Sequence, residues 1–144
     1  MNISETFANI IWLFHLLVIL FVCFAPFTKI PAILILHITF SLCLLIHWRF
    51  NNNMCSLTMM ECYLRGLQPS DTFMHQLISP MYDISSTDFN NIVHIVTYIT
   101  MFISIYYLYE SVKFKECVIC YNKLTKEETT FTNILECIQP LFVF

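Results

Sequence analysis

Four of the five histidines, His15, His37, His47 and His94, fall in or beside long apolar stretches of the chain. Two imidazoles facing each other inside a helical bundle can fill both axial positions of a haem iron, which makes these four the candidate cofactor ligands. His37 and His47 cannot share one iron, because ten helical positions put them about 15 Å apart along the axis and roughly 80° apart in direction. Any such pair must come from two helices. The competing reading is a neutral imidazole that satisfies both nitrogens with hydrogen bonds, and this is the favoured one because it requires no ligand.

The seven cysteines divide by surroundings. Cys23 and Cys43 lie inside apolar stretches, where a thiol behaves as a small hydrophobe. Cys117-Val118-Ile119-Cys120 has the CxxC spacing of redox and zinc sites, and with Cys137 it gives the candidate metal ligands. The region after Glu110 carries no histidine and no second close cysteine pair, so a structural or lipid-anchoring role for these thiols stands beside the metal reading. Cys55 and Cys62 would share a helix face about 10.5 Å apart axially, too far for a disulfide within a helix, whereas an irregular lumenal loop would still allow them to bridge.

The densest polar group is His47-Trp48-Arg49 followed by Asn51, Asn52, Asn53, Cys55, Thr58, Glu61 and Arg65. His47, Asn52, Cys55, Thr58, Glu61 and Arg65 read as a structural knot at a membrane edge. There amides and hydroxyls satisfy freed helix carbonyls, and Glu61 pairs with Arg65 at i,i+4. Cys55 with His47 and Glu61 forms a weaker alternative thiol or metal site. No residue is assigned as catalytic.

These side chains must be held by elements that composition defines. Of 144 residues, 58% are hydrophobic and 12% charged, about half the charge of a soluble domain. Thr6–Thr28, Ile30–Trp48 and Phe89–Tyr109 are free of charged residues, and each reaches the roughly 20 residues needed to cross about 30 Å of hydrocarbon. The expected fold is all-α, a multi-pass transmembrane helical bundle with three spans. Residues 1–110 form the transmembrane domain, and 111–144 form a cysteine-containing tail, cytoplasmic or on the membrane surface.

Local signals set the boundaries. Helix one should run from about Thr6 to Cys23 or Phe24. Pro26 and Pro31 bracket a short connection that makes helices one and two an antiparallel hairpin, with Pro31 in the first turn of helix two. Helix two should end at His47 or Trp48, with the asparagines as a polar stop. Met54 to Leu64 has helical spacing broken by Gly66 and Pro69. Thr72 to Tyr82 is too short to span and reads as a surface or partly re-entrant helix. In helix three, His94, Thr97, Tyr98, Met101, Ser104 and Ile105 fall near one face expected to meet protein, and Tyr106, Tyr107 and Tyr109 resemble an interfacial belt. Residues 130–144 turn apolar again. About 21 Å of helix after Phe131, with Glu136 inside it, favours membrane-surface docking over a fourth crossing.

The charge balance is −3, from seven Lys or Arg against ten Asp or Glu, with no concentrated basic surface, which argues against nucleic acid as a partner. With three crossings, Lys29, Lys113 and Lys115, with Lys123 and Lys126 farther on, oppose Arg49 and Arg65. The positive-inside rule then puts the amino terminus outside or in a lumen and the carboxyl terminus in the cytoplasm. Asn2-Ile3-Ser4 fits the glycosylation pattern but lies too near the first span to favour modification.

His15, Leu36-His37, Cys55-Ser56-Leu57-Thr58, Glu61, Leu64-Arg65-Gly66, His75 and Pro80-Met81-Tyr82 occur in an order that resembles a family of small bacterial integral-membrane proteins known as a domain of unknown function. Ser56 stands where that pattern often has proline, and the cysteine-containing tail has no counterpart in it. The His-Trp, Asn-rich and Cys-x-Leu-Thr sequence is also similar to small membrane proteins of large DNA viruses. That likeness implies a virion inner membrane or a host endomembrane. Neither resemblance supplies an activity.

The function expected from these residues is a non-enzymatic membrane structural or assembly component. Its partners are the lipid bilayer and copies of itself or other membrane proteins. No cofactor is required. The alternative is a membrane redox protein using haem on the histidines or thiol chemistry on exposed cysteines. A channel would need an oligomer, because three spans enclose little pathway.

Overall fold

The computed structural model describes residues 3–67, 86–124 and 130–142. All regular structure among them is helical: α1 (Ile3–Phe24), a 3-10 turn (Ala25–Thr28), α2 (Pro31–Phe50), α3 (Ser56–Arg65), α4 (Ser86–Glu110), α5 (Val112–Lys123), α6 (Phe131–Ile138) and a final 3-10 turn (Gln139–Leu141). Three segments, Ile3–Thr28, Pro31–Phe50 and Asn90–Glu110, are long and apolar enough to cross a membrane. The expected helix at Thr72 to Tyr82, with His75 and Pro80, lies outside the described residues.

Proline sets the first hairpin. Pro26 ends regular α1, the chain tightens into the 3-10 turn, and Lys29 takes a left-handed conformation (φ 57°) that reverses it. Pro31 then opens α2, where its missing amide is one that a helix leaves unpaired in any case. The cation of Lys29 lies 5.0 Å from the ring centre of Tyr107, so this turn meets the far end of α4. Trp48 stacks 4.7 Å from His94 at the opposite end. α2 therefore runs antiparallel to both α1 and α4.

The buried residues follow helical spacing. In α1 they are Ala8, His15 and Val22, seven apart, and in α2 they include Leu34, His37, Ser41, Leu45 and Trp48. α4 buries Thr97, Thr100 and Ser104. The face expected on α4 is thus shifted. Thr97 and Ser104 are inside, whereas Tyr98 (46% exposed) and Ile105 (42%) point outward and Thr100 takes the inner position between. Thr97 and Thr100 donate to the carbonyls of Val93 (2.8 Å) and Thr97 (3.1 Å), so their hydroxyls enter the packed seam already satisfied.

The distribution is inverted relative to a protein folded in water. Small and polar side chains such as Ala8, Ser41, Thr97 and Ser104 share the seam with Leu34, Leu45 and Trp48, while Leu13, Phe14 and Leu17 of α1 and Ile99 and Phe102 of α4 are more than half exposed. Such an arrangement is stable where the surroundings are as apolar as leucine and helices associate through close packing and hydrogen bonds.

α3 changes the picture drawn from sequence. α2 continues to Phe50, past His47 and Trp48, because the amides of Asn51 and Asn53 pair with carbonyls of its last turn. Asn52 (φ 51°) and Asn53 (φ 61°) then adopt left-handed geometry, which asparagine tolerates better than most residues, and the chain doubles back. α3 runs antiparallel to the first half of α1: Cys55 meets His15 at one end, and Ser4 donates to the Leu64 carbonyl at 2.6 Å at the other. Gly66 (φ 67°) closes α3, with the Gly66 and Leu67 amides bonding Tyr63 and Cys62 carbonyls.

Beyond α4, α5 buries no residue. α6 returns to it through a disulfide between Cys120 and Cys137 and begins where Thr130 accepts the Asn133 amide. With eight residues, α6 extends about 12 Å, too short for a fourth crossing.

Candidate functional site

Two polar centres lie between the long helices. The first is built on His37, which is fully buried. In an α-helix the Val22 carbonyl would pair with the amide four residues on, but that residue is Pro26, which has none. His37 supplies the missing donor from α2, its Nε2 lying 3.0 Å from the Val22 oxygen. A carbonyl only accepts, so Nε2 carries the proton and Nδ1 is left as an acceptor. Ser104 of α4 donates to that nitrogen at 2.8 Å, and the Ser41 hydroxyl lies 3.3 Å from Nε2. One imidazole thus ties three helices, with the Phe21 ring packed 5.7 Å from it.

The second centre surrounds α3. His15, buried on α1, hydrogen-bonds the Cys55 sulfur. Cys55 occupies the residue before α3, where the amides of Leu57 and Thr58 lie close to the sulfur. Burial pushes the Cys55 thiol up. The His15 hydrogen bond, the neighbouring amides and the charge of the imidazole outweigh it and leave the thiol below its ordinary value. Beside it, His47 Nε2 lies 3.0 Å from the Ser56 hydroxyl and receives the Ser56 amide at 3.4 Å. At the outer end, Arg65 donates to the buried Glu61 at 3.0 Å and to Asn9 at 2.8 Å.

The expected knot is therefore two adjoining groups. His47 joins Ser56, Glu61 joins Arg65, and Cys55 turns to His15, a partner that sequence spacing does not suggest. Asn52 serves through its backbone conformation, and Thr58 through its amide. Sequence reasoning met Ser56 only as a departure from a family pattern and overlooked Asn9, Ser4 and Val22. Only Val22 left a readable trace, in the proline four positions later.

Of the four candidate haem ligands, His37 has both nitrogens engaged in the seam. His94 places Nδ1 2.8 Å from the Asn90 carbonyl and packs against Trp48. Each imidazole has its own protein partner, and the four do not form one cluster. In the tail, Cys120 and Cys137 bond to each other, with Cα atoms 5.6 Å apart, while Cys117 stays a free thiol. Among the described residues, no three His, Cys, Asp or Glu side chains converge as they would around a metal ion.

Comparison of the chain with protein-family models, with curated proteins and with solved structures yields no match in any of the three.

Proposed function

We propose that this chain is a non-enzymatic integral-membrane structural or assembly component that works by helix-helix association, with itself or with other membrane proteins. The observation that carries this reading is the inverted packing: polar side chains such as His37 and Ser104 are spent on joining α1, α2 and α4, and apolar side chains cover the outside. A seam satisfied within the protein fixes geometry without a substrate. The sequence resemblances add a virion inner membrane or host endomembrane as the setting.

Purification in nanodiscs followed by native mass spectrometry tests the association. The expected result is a defined assembly above one copy, or a retained membrane-protein partner. A bare monomer at every concentration would overturn the reading.

The redox alternative rests on the Cys120–Cys137 disulfide beside the free Cys117 thiol. A haem Soret band lost on replacing His15 or His94, or turnover in a thiol-exchange assay, would favour it. For orientation, the basic residues support a lumenal or external amino terminus and a cytoplasmic tail, and this is the placement we propose. The Cys120–Cys137 disulfide weighs the other way, since such a bond is more at home in an oxidising compartment. Labelling of Cys117 by an impermeant maleimide from the non-cytoplasmic side would refute the cytoplasmic placement.

A further inference from the structure

We propose that the tail is a disulfide switch in which the Cys117 thiol displaces Cys137 from Cys120, moving the bond into α5 and releasing α6. Cys120 lies between two partners. Cys137 of α6 is bonded to it, with Cα atoms 5.6 Å apart. Cys117, a free thiol, stands three residues earlier on α5, so it shares a helix face with Cys120, and helical geometry sets their Cα atoms about 5 Å apart. Both separations fall inside the roughly 4.4–6.8 Å that a disulfide spans. The CxxC pair thus has a third cysteine as the competing partner of its second sulfur.

Helix geometry sets the resting state, and exposure sets the route out of it. Side chains at i and i+3 of an α-helix keep their Cβ atoms about 5–6 Å apart, whereas a disulfide needs about 3.5–4.5 Å. A Cys117–Cys120 bond therefore requires one turn of α5 to tighten towards 3-10 geometry, in which those positions eclipse, and this cost keeps the bond on Cys137 at rest. No buried side chain pins α5 against that change. Cys137 is only 4% exposed, while Cys117 and Cys120 are half-buried. Attack accordingly falls on the Cys120 sulfur, with Cys137 as the leaving group.

The step consumes no oxidant or reductant. Cys117 gives its proton to water, and the thiolate attacks the Cys120 sulfur. A Cys117–Cys120 bond forms as the Cys120–Cys137 bond breaks, and Cys137 leaves as a thiolate that takes a proton from water. One thiol and one disulfide are present before and after, so the switch holds for a structural component as well as for a redox protein. Its output is mechanical. α6 and the 3-10 turn after it pack against α5, with Cys137 and Leu141 buried. Losing the covalent tie frees an eight-residue helix that already exposes Phe131 and Leu135.

The test maps disulfides in the full chain in nanodiscs. After acid quenching, free thiols are capped with N-ethylmaleimide, and trypsin, cutting after Lys115, Lys123 and Lys126, separates Cys117 and Cys120 from Cys137. Mass spectrometry should find a major form with the two peptides joined and Cys117 capped. A minor form, about 1–10%, should carry a Cys117–Cys120 loop and a capped Cys137. C117S should lose the capped Cys137, and C137S equilibrated with reduced and oxidised glutathione should form the loop. Hydrogen exchange over α6 should be slower in C117S than in the parent, with α1, α2 and α4 unchanged. A parent without the looped form, a C137S variant that yields only glutathione adducts, or capped Cys137 persisting in C117S would overturn the proposal. Equal α6 exchange in C117S and the parent would also overturn it.

Discussion

Replacing Ser104 with alanine removes a single oxygen from the His37 seam and leaves Nδ1 as a buried acceptor without its donor. The Ser41 hydroxyl cannot substitute, because it lies 3.3 Å from the other nitrogen, Nε2. Side-chain hydrogen bonds between membrane helices average about 0.6 kcal/mol and reach about 1.7. Leaving a buried acceptor unmade costs about 1–3 kcal/mol. The 2.8 Å Ser104–His37 bond belongs in the overlap, and S104A should destabilise the bundle by about 1–2 kcal/mol. H37L should cost more, about 2–3 kcal/mol, because it also strips the Val22 carbonyl of its donor. The two changes share one bond, so the double variant should fall short of additivity by about 1 kcal/mol. Reversible unfolding in mixed micelles with increasing SDS fraction, followed by helical circular dichroism, reads all four corners of the cycle. Adding P26A restores an amide to the Val22 carbonyl and should shrink the H37L penalty by about 1 kcal/mol. Full additivity, together with an S104A change within about 0.3 kcal/mol, would refute the seam as the bond that joins these helices.

Three further outcomes follow from particular contacts. R65A should destabilise the α1/α3 pair by about 1–2 kcal/mol, since it strands Glu61, whose side chain is 7% exposed, and E61Q/R65A should recover much of the loss; equal unfolding midpoints for parent and R65A would contradict this. G66A should cost about 1 kcal/mol because Gly66 sits at φ 67°, and open space around the position leaves backbone strain as the cause; an unchanged midpoint would remove that account. Reducing the Cys120–Cys137 disulfide should release up to about 3 kcal/mol of constraint and raise hydrogen exchange over α6 alone, with α1, α2 and α4 unaffected; exchange rising evenly throughout would show that the tail braces the bundle.

The long helices were legible because hydrophobic length is a local property. Pro26, Pro31, Asn51 and Gly66 also marked their turns, each through a backbone preference that needs no distant partner. Helix ends were less legible. α2 reaches Phe50 because amides of the following turn pair with its last carbonyls, and that depends on the chain doubling back. The α4 face was read too broadly: Tyr98 and Ile105 fit the spacing with Ser104, but only the neighbouring helices decide that Thr100 lies inside instead. The candidate site was the least legible. Cys55 and His15 are separated by all of α2, and their meeting depends on two left-handed asparagines whose combined effect on direction no periodicity records. The Val22–His37 bond was hidden differently, since a proline announces an orphaned carbonyl but not which donor will find it.

That bond has a consequence for how the chain is made. Until His37 leaves the ribosome, the Val22 carbonyl lacks both its imidazole donor and the helical amide that Pro26 removes, which is an unfavourable state to release into lipid. The two segments are therefore expected to leave the insertion machinery as a pair. Stalled nascent chains that stop short of His37 should crosslink to the translocon longer than chains that include it, and the P26A substitution should abolish that delay.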